Sequence, residues 1–292
     1  MFRGSIVALV TPFQADGALD IGRLRELVDF QIENGTHGIV PCGTTGESPT
    51  LSHDEHDSVV EETVKAVDGR VKVIAGAGSN STAEALRLTQ HAKTVGADGA
   101  LVITPYYNKP TQDGLVQHFL HIADQVDIPI VMYNVPGRTG CDMVADTVAR
   151  VAGHDNIAAI KEATGDLRRT SEVIAATRGE EFVVLSGEDS VTFPMMSLGA
   201  TGVISVVANV APKRMAQMCD AFASGDYGRS QELHYELLPL ACDLFIETNP
   251  IPAKTSLHMM GLLNGVMRLP LCEMGAANAA TLRATLDGCG LL

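Results

Sequence analysis

Val191-Thr-Phe-Pro-Met-Met-Ser-Leu-Gly-Ala-Thr-Gly-Val-Ile-Ser-Val-Val-Ala-Asn-Val-Ala-Pro212 runs for 22 residues without a charge. About 20 apolar residues suffice to cross a bilayer, so a membrane span is the first reading to test. Pro194, Gly199, Gly202 and Asn209 interrupt this run, and Gly199-Ala-Thr-Gly202 breaks it in the middle. It reads instead as a short buried helix followed by a buried strand. That strand, 202–207, is the eighth of its kind.

The other seven β-runs lie at 5–10, 38–42, 71–75, 100–104, 129–133, 157–162 and 182–186. Most are apolar on consecutive positions, as strands covered on both faces should be. Amphipathic stretches with helical spacing separate them, for example Leu24, Leu27, Val28 and Ile32. Ser52-His-Asp-Glu55 and Ser81-Thr-Ala-Glu84 both fit a capping box, which marks a helix start. Strand and helix alternating eight times predict an α/β chain with a parallel sheet closed into a (β/α)8 TIM barrel. An open doubly-wound sheet normally shows a glycine-rich loop after its first strand. Thr11-Pro12-Phe13 is no such loop, which also counts against a nicotinamide oxidoreductase. The expected division is a barrel over 1–225 and a C-terminal helical extension over 226–292, broken near Asn249-Pro250 and Leu269-Pro270.

Composition narrows the function classes. The chain has 292 residues, 46% hydrophobic, with 21 Lys plus Arg against 35 Asp plus Glu. A net charge of −14 argues against a nucleic-acid partner, which needs a basic face. Six scattered cysteines with no CxxC pair read as reduced thiols of a cytoplasmic protein. The apolar run after Arg3 is too short for a signal peptide. His53 and His56 share a helix face, but no further ligand at helical spacing completes a metal site.

In a barrel of this kind the chemistry sits beyond the C-terminal ends of the strands. Those positions hold Gly43-Thr-Thr-Gly-Glu-Ser48, Pro105-Tyr-Tyr-Asn108, Tyr133-Asn-Val-Pro-Gly-Arg-Thr-Gly140, Lys161-Glu162 and Ser186-Gly-Glu-Asp189. Lys161 is one of only seven lysines. Strand alternation points it to the side of Ala159 and Ala163, where small neighbours leave room. An apolar setting lowers an amine's pKa, and a neutral amine can attack a ketone. The alternative is a lysine ion-paired inside the barrel to Glu47 or Glu188. Lys72 also lies in a strand, but at its entry. Tyr133 and Tyr107 are candidate proton donors, or simply packed rings. Thr44 and Thr45 sit in a glycine-flanked turn able to receive a carboxylate. Arg138 follows Gly137 in a turn and could clamp a second carboxylate, or stand as a solvated charge.

Together these segments resemble the dihydrodipicolinate synthase family of pyruvate-dependent class I lyases. The resemblance covers nearly the whole chain, with Gly137-Arg-Thr-Gly140 and Thr104-Pro-Tyr-Tyr-Asn108 its most specific motifs. It implies condensation of pyruvate with L-aspartate 4-semialdehyde through a lysine Schiff base, in diaminopimelate and lysine biosynthesis, with no metal or organic cofactor. Lys161 resembles the Schiff-base lysine, and Tyr133, Thr44 and Tyr107 a proton relay, Tyr107 reaching across a dimer interface. Thr45 resembles the pyruvate-carboxylate binder, Arg138 the binder of the semialdehyde carboxylate, and Ile204 a residue whose carbonyl lines the site. Ser48, His53, His56, Asn80, Glu84 and Tyr106 match positions that bind lysine as feedback inhibitor, and the implied assembly is a homotetramer, a dimer of dimers. Pro49, Cys42 and Thr255-Ser256 depart from the common pattern. Other members of the superfamily, an N-acetylneuraminate lyase or a keto-deoxy-sugar-acid aldolase, are the alternative, and a non-catalytic sensor on the same barrel a further one.

Overall fold

A computed structural model describes residues 2–292. Eight parallel strands close in chain order: β1 Gly4–Ala8, β2 Gly38–Val40, β3 Lys72–Gly76, β4 Gly99–Ile103, β5 Ile130–Asn134, β6 Ile157–Glu162, β7 Val183–Ser186 and β8 Gly202–Ser205. The uncharged stretch 191–212 contains the helix Thr192–Leu198 and β8. No helix among the described residues is long and apolar enough to cross a membrane. Several observed strands end one or two residues short of their apolar runs: the backbone of 41–42 and 206–207 leaves the ladder to start the loops above it.

The barrel closes by register Gly4↔Gly202 and Ile6↔Ile204. A Cβ at Gly202 would lie 2.2 Å from the carbonyl oxygen of Gly4, so only glycine admits this seam. Alternation sends Ile6, Val40, Ile74, Leu101, Val131, Leu185 and Ile204 into the barrel interior, and their neighbours outward against the helices. Each inner aliphatic side chain removed from water contributes about 1.5–3 kcal/mol. Lys72 stands at the entry of β3, exposed, its Nζ 2.6 Å from Asp98.

The predicted capping box at Ser52 is present, with both reciprocal bonds to Glu55. The one expected at Ser81 is absent. Ser81 makes no side-chain cap to the helix Thr82–Thr94; its backbone N–H donates instead to Ser79 Oγ, and the Glu84 carboxylate turns away to His53 and the Ser79 hydroxyl.

Beyond β8 lie the helices Pro212–Ala223, Tyr227–Asp243, Ile251–Met259 and Ala276–Gly288. Tyr227–Asp243 opens with Asp226 accepting the Arg229 N–H and packs along Pro212–Ala223. Asn249-Pro250 and Leu269-Pro270 fall in the two interruptions that follow. The first of them passes over the upper rim of the barrel, which brings Asn249 and Phe245 to the cavity beneath.

Candidate active site

Lys161 stands near the C-terminal end of β6, in register with Tyr133 on β5. Register partners share a face, so both point inward, and Lys161 Nζ lies 4.4 Å from the centroid of the Tyr133 ring. Gly187 supplies the opposite wall. A Cβ there would sit 3.0 Å from the Lys161 stem and 2.6 Å from Ala163. Around the amine is a cavity of about 170 Å³, with Thr44, Thr45, Arg138, Glu188 and Asn249 on its walls. That volume suits a small acid and excludes a dinucleotide.

The ion-paired alternative for Lys161 is not what the fold builds. Glu47 is engaged by Lys254, with Nζ to Oε1 at 2.5 Å. Glu188 turns back to the N–H and hydroxyl of Ser190. Lys161 is 5% exposed, and burial brings its ammonium down to about 8, helped by the Arg138 charge and opposed by Asp189 and Glu188. The Tyr133 ring face favours a cation, but burial outweighs it. Burial pushes the Tyr133 phenol up to about 12, against the Arg138 charge and a hydrogen bond with Thr44. Tyr133 therefore holds its proton at neutral pH and can deliver it.

Thr45 is buried, and its hydroxyl oxygen accepts from Asn249 Nδ2 at 2.9 Å. Arg138 is exposed, on the short helix Pro136–Thr139, and its side chain reaches the cavity wall. Ile204 lies inside the barrel, and Val206, two residues on, lines the cavity. Tyr107 is not brought to this cavity within the chain. It has φ +72, is 88% exposed and is not on the cavity wall.

A second cavity, about 490 Å³, shares Thr44, Tyr133 and Arg138 with the first as a common wall. Ser48, His53, His56, Glu84 and Tyr106 line it, and Pro49 does too. Asn80 is not on its wall; its carbonyl accepts from Asn108 Nδ2 at 2.9 Å. His53 Nε2 lies 2.6 Å from Glu84 Oε1. Burial brings His56 down to about 4, so it is neutral at physiological pH. Its Nδ1 has no hydrogen-bond partner, since Asp57 at 3.8 Å is too distant.

Asn249, Val206 and Phe245 carry no mark in the sequence that assigns them to the site. They arrive from loops far along the chain.

The profile of the Dihydrodipicolinate synthetase family matches residues 1–288. The chain is 58% identical over 286 residues to a 4-hydroxy-tetrahydrodipicolinate synthase of Geobacter metallireducens, covering 98% of each. The dihydrodipicolinate synthase structure from Aquifex aeolicus superposes with a TM-score of 0.97 at 52% identity, covering 99% of each chain. A structure from Cyanidioschyzon merolae with lysine bound gives 0.96 at 40% identity, covering 100% of this chain and 99% of that one. The chain belongs to the dihydrodipicolinate synthetase family.

Proposed function

We propose that the chain condenses pyruvate with L-aspartate 4-semialdehyde to give 4-hydroxy-tetrahydrodipicolinate, in the route to diaminopimelate and lysine. The observation that carries this is Lys161: a buried amine without a carboxylate partner, facing a protonated tyrosine in a cavity sized for a small acid. The relatives named above are synthases, so the sugar-acid aldolase and sensor readings are not favoured.

In this reading the neutral Lys161 amine attacks the pyruvate ketone. The carbinolamine oxygen takes a proton and leaves as water, giving a protonated imine. Thr45 receives the pyruvate carboxylate through hydroxyl and backbone N–H. The imine withdraws electrons, the pyruvate methyl group loses a proton, and the resulting enamine carbon attacks the semialdehyde carbonyl. Arg138 meets the semialdehyde carboxylate with two parallel N–H donors. The substrate's own amine then displaces Lys161, which regenerates the free lysine and closes the ring. Each step moves a proton in a largely enclosed site, which Tyr133 and Thr44 serve. Tyr107 completes the relay from a second copy of the chain, consistent with its outward position. The family resemblance implies a homotetramer, and six free cysteines support a cytoplasmic location. Lysine binds as feedback inhibitor in the second cavity, where Glu84 offers a carboxylate to an ammonium.

The test is borohydride reduction in the presence of pyruvate, followed by peptide mass analysis, beside a coupled assay with the semialdehyde. One adduct per chain on Lys161 is expected. An adduct on Lys254 instead, or none in active protein, sinks the mechanism.

A further inference from the structure

Glu47 lies in the turn that carries Thr44 and Thr45, and it is a non-glycine residue at φ +54. A side chain rarely accepts that conformation without compensation. The compensation comes from more than 200 residues away. Lys254 Nζ donates to Glu47 Oε1 at 2.5 Å, and the Arg268 backbone N–H donates to Oε2 at 3.1 Å. Both side chains of the Lys254–Glu47 pair are fully buried. The ammonium also lies 4.3 Å over the Phe13 ring centroid. Arg268 donates in addition to the carbonyls of Gly17 and Thr50. From the cavity side, Asn249 donates to Thr45 Oγ1. One segment of the C-terminal extension thus grips the turn at Thr45 and at Glu47.

A buried ion pair is a poor stabilising device, because desolvation consumes most of its Coulomb energy. What it supplies is direction: two charged groups in a dry site fix each other's place. The Asn249 bond adds a second constraint. A hydroxyl oxygen that accepts an amide proton must send its own proton elsewhere, and here the cavity is beside it.

We propose that Lys254, acting through Glu47, is a positioning residue for pyruvate: it holds the 43–48 turn at the distance from Lys161 where Thr45 receives the carboxylate, while Asn249 aims the Thr45 hydroxyl. The proposal rests on the reading of Thr45 as the carboxylate binder.

The experiment compares full-length wild type, Thr45→Val, the double variant Glu47→Met with Lys254→Met, and the triple combination. The double variant leaves no unpaired buried charge, so its thermal midpoint stays close to wild type. Its KM for pyruvate should rise by about tenfold or more, as misplacement of a binding group does, while KM for the semialdehyde holds. Thr45→Val should raise the pyruvate KM too. Adding it to the double variant should cost little more, since both act through one contact; a purely structural role would make the losses add. A folded double variant with wild-type pyruvate KM, or full additivity, overturns the proposal. An unmoved pyruvate KM in Thr45→Val alone would instead bring down the carboxylate reading. If the double variant does not fold, Glu47→Gln with Lys254→Met decides, because it removes the ion pair, adds no charge to the cavity and leaves the Arg268 backbone N–H an acceptor at position 47. A raised pyruvate KM in that variant supports the proposal, and an unchanged one overturns it.

Discussion

Replacing Lys161 by methionine should abolish activity and make the protein more stable at neutral pH. Methionine keeps the length and apolar stem of the side chain and removes the amine. The folded structure lowers the Lys161 ammonium from the ordinary 10.5 to about 8, chiefly by burial. Because the folded chain binds this proton more weakly than the unfolded chain, wild-type stability rises as pH climbs from about 8 to 10.5. Below about 8 the cost of burying the ammonium is present in full. At 1.36 kcal/mol per tenfold change in proton affinity, that cost is about 3 kcal/mol. The same displacement serves catalysis: at pH 7 roughly one amine in ten is neutral, against roughly one in three thousand for an ordinary lysine. The assay is urea unfolding of both proteins at equal concentration, from pH 7 to pH 10. The packing difference between methionine and neutral lysine does not vary with pH, so the slope is the quantity to read. The stability advantage of Lys161→Met should shrink steadily above pH 8. A gap that stays constant across the range, or wild-type imine formation with a midpoint near 10.5, would refute the reasoning.

Arg138→Ala should raise KM for the semialdehyde far more than for pyruvate, by about 1.5–3 kcal/mol for a lost charge-assisted pair, or roughly tenfold to a hundredfold. It should also move the imine-forming midpoint above 8, because the guanidinium helps to depress Lys161; equal changes in both KM values would count against the assignment. Lysine should inhibit wild type partially and Glu84→Ala much less, and the absence of both inhibition and calorimetric heat at millimolar lysine would end that reading. Tyr107→Phe chains mixed and reassembled with Lys161→Met chains should recover activity beyond either parent, since each brings what the other lacks; no recovery would place Tyr107 outside the partner's site.

Apolar runs on consecutive positions, amphipathic stretches between them and a glycine-broken uncharged segment were sufficient to read a closed eightfold barrel. These are local features, and a strand buried on both faces must show them wherever it sits. Lys161, Tyr133, Thr44, Thr45 and Arg138 were legible for the same reason. They lie at or just beyond the C-terminal ends of strands, and barrel closure brings those ends to one rim. Alternation even gave the side to which Lys161 points. Choice of partner is a different matter. Glu47 stands within reach of a lysine in any reading of the sequence, but which lysine depends on the path of the C-terminal segment over the rim, and it is Lys254. Glu84 has the spacing of a capping box, yet His53 reaches it from the neighbouring strand–helix unit and Ser79 from its own loop, and together they occupy its two oxygens. Asn249 has no local signal at all, because its role exists only where its loop meets Thr45. Periodicity along a chain reports burial, which each segment carries in its own residues; a hydrogen bond between residues 204 apart reports the closure of the whole fold, which no segment carries alone.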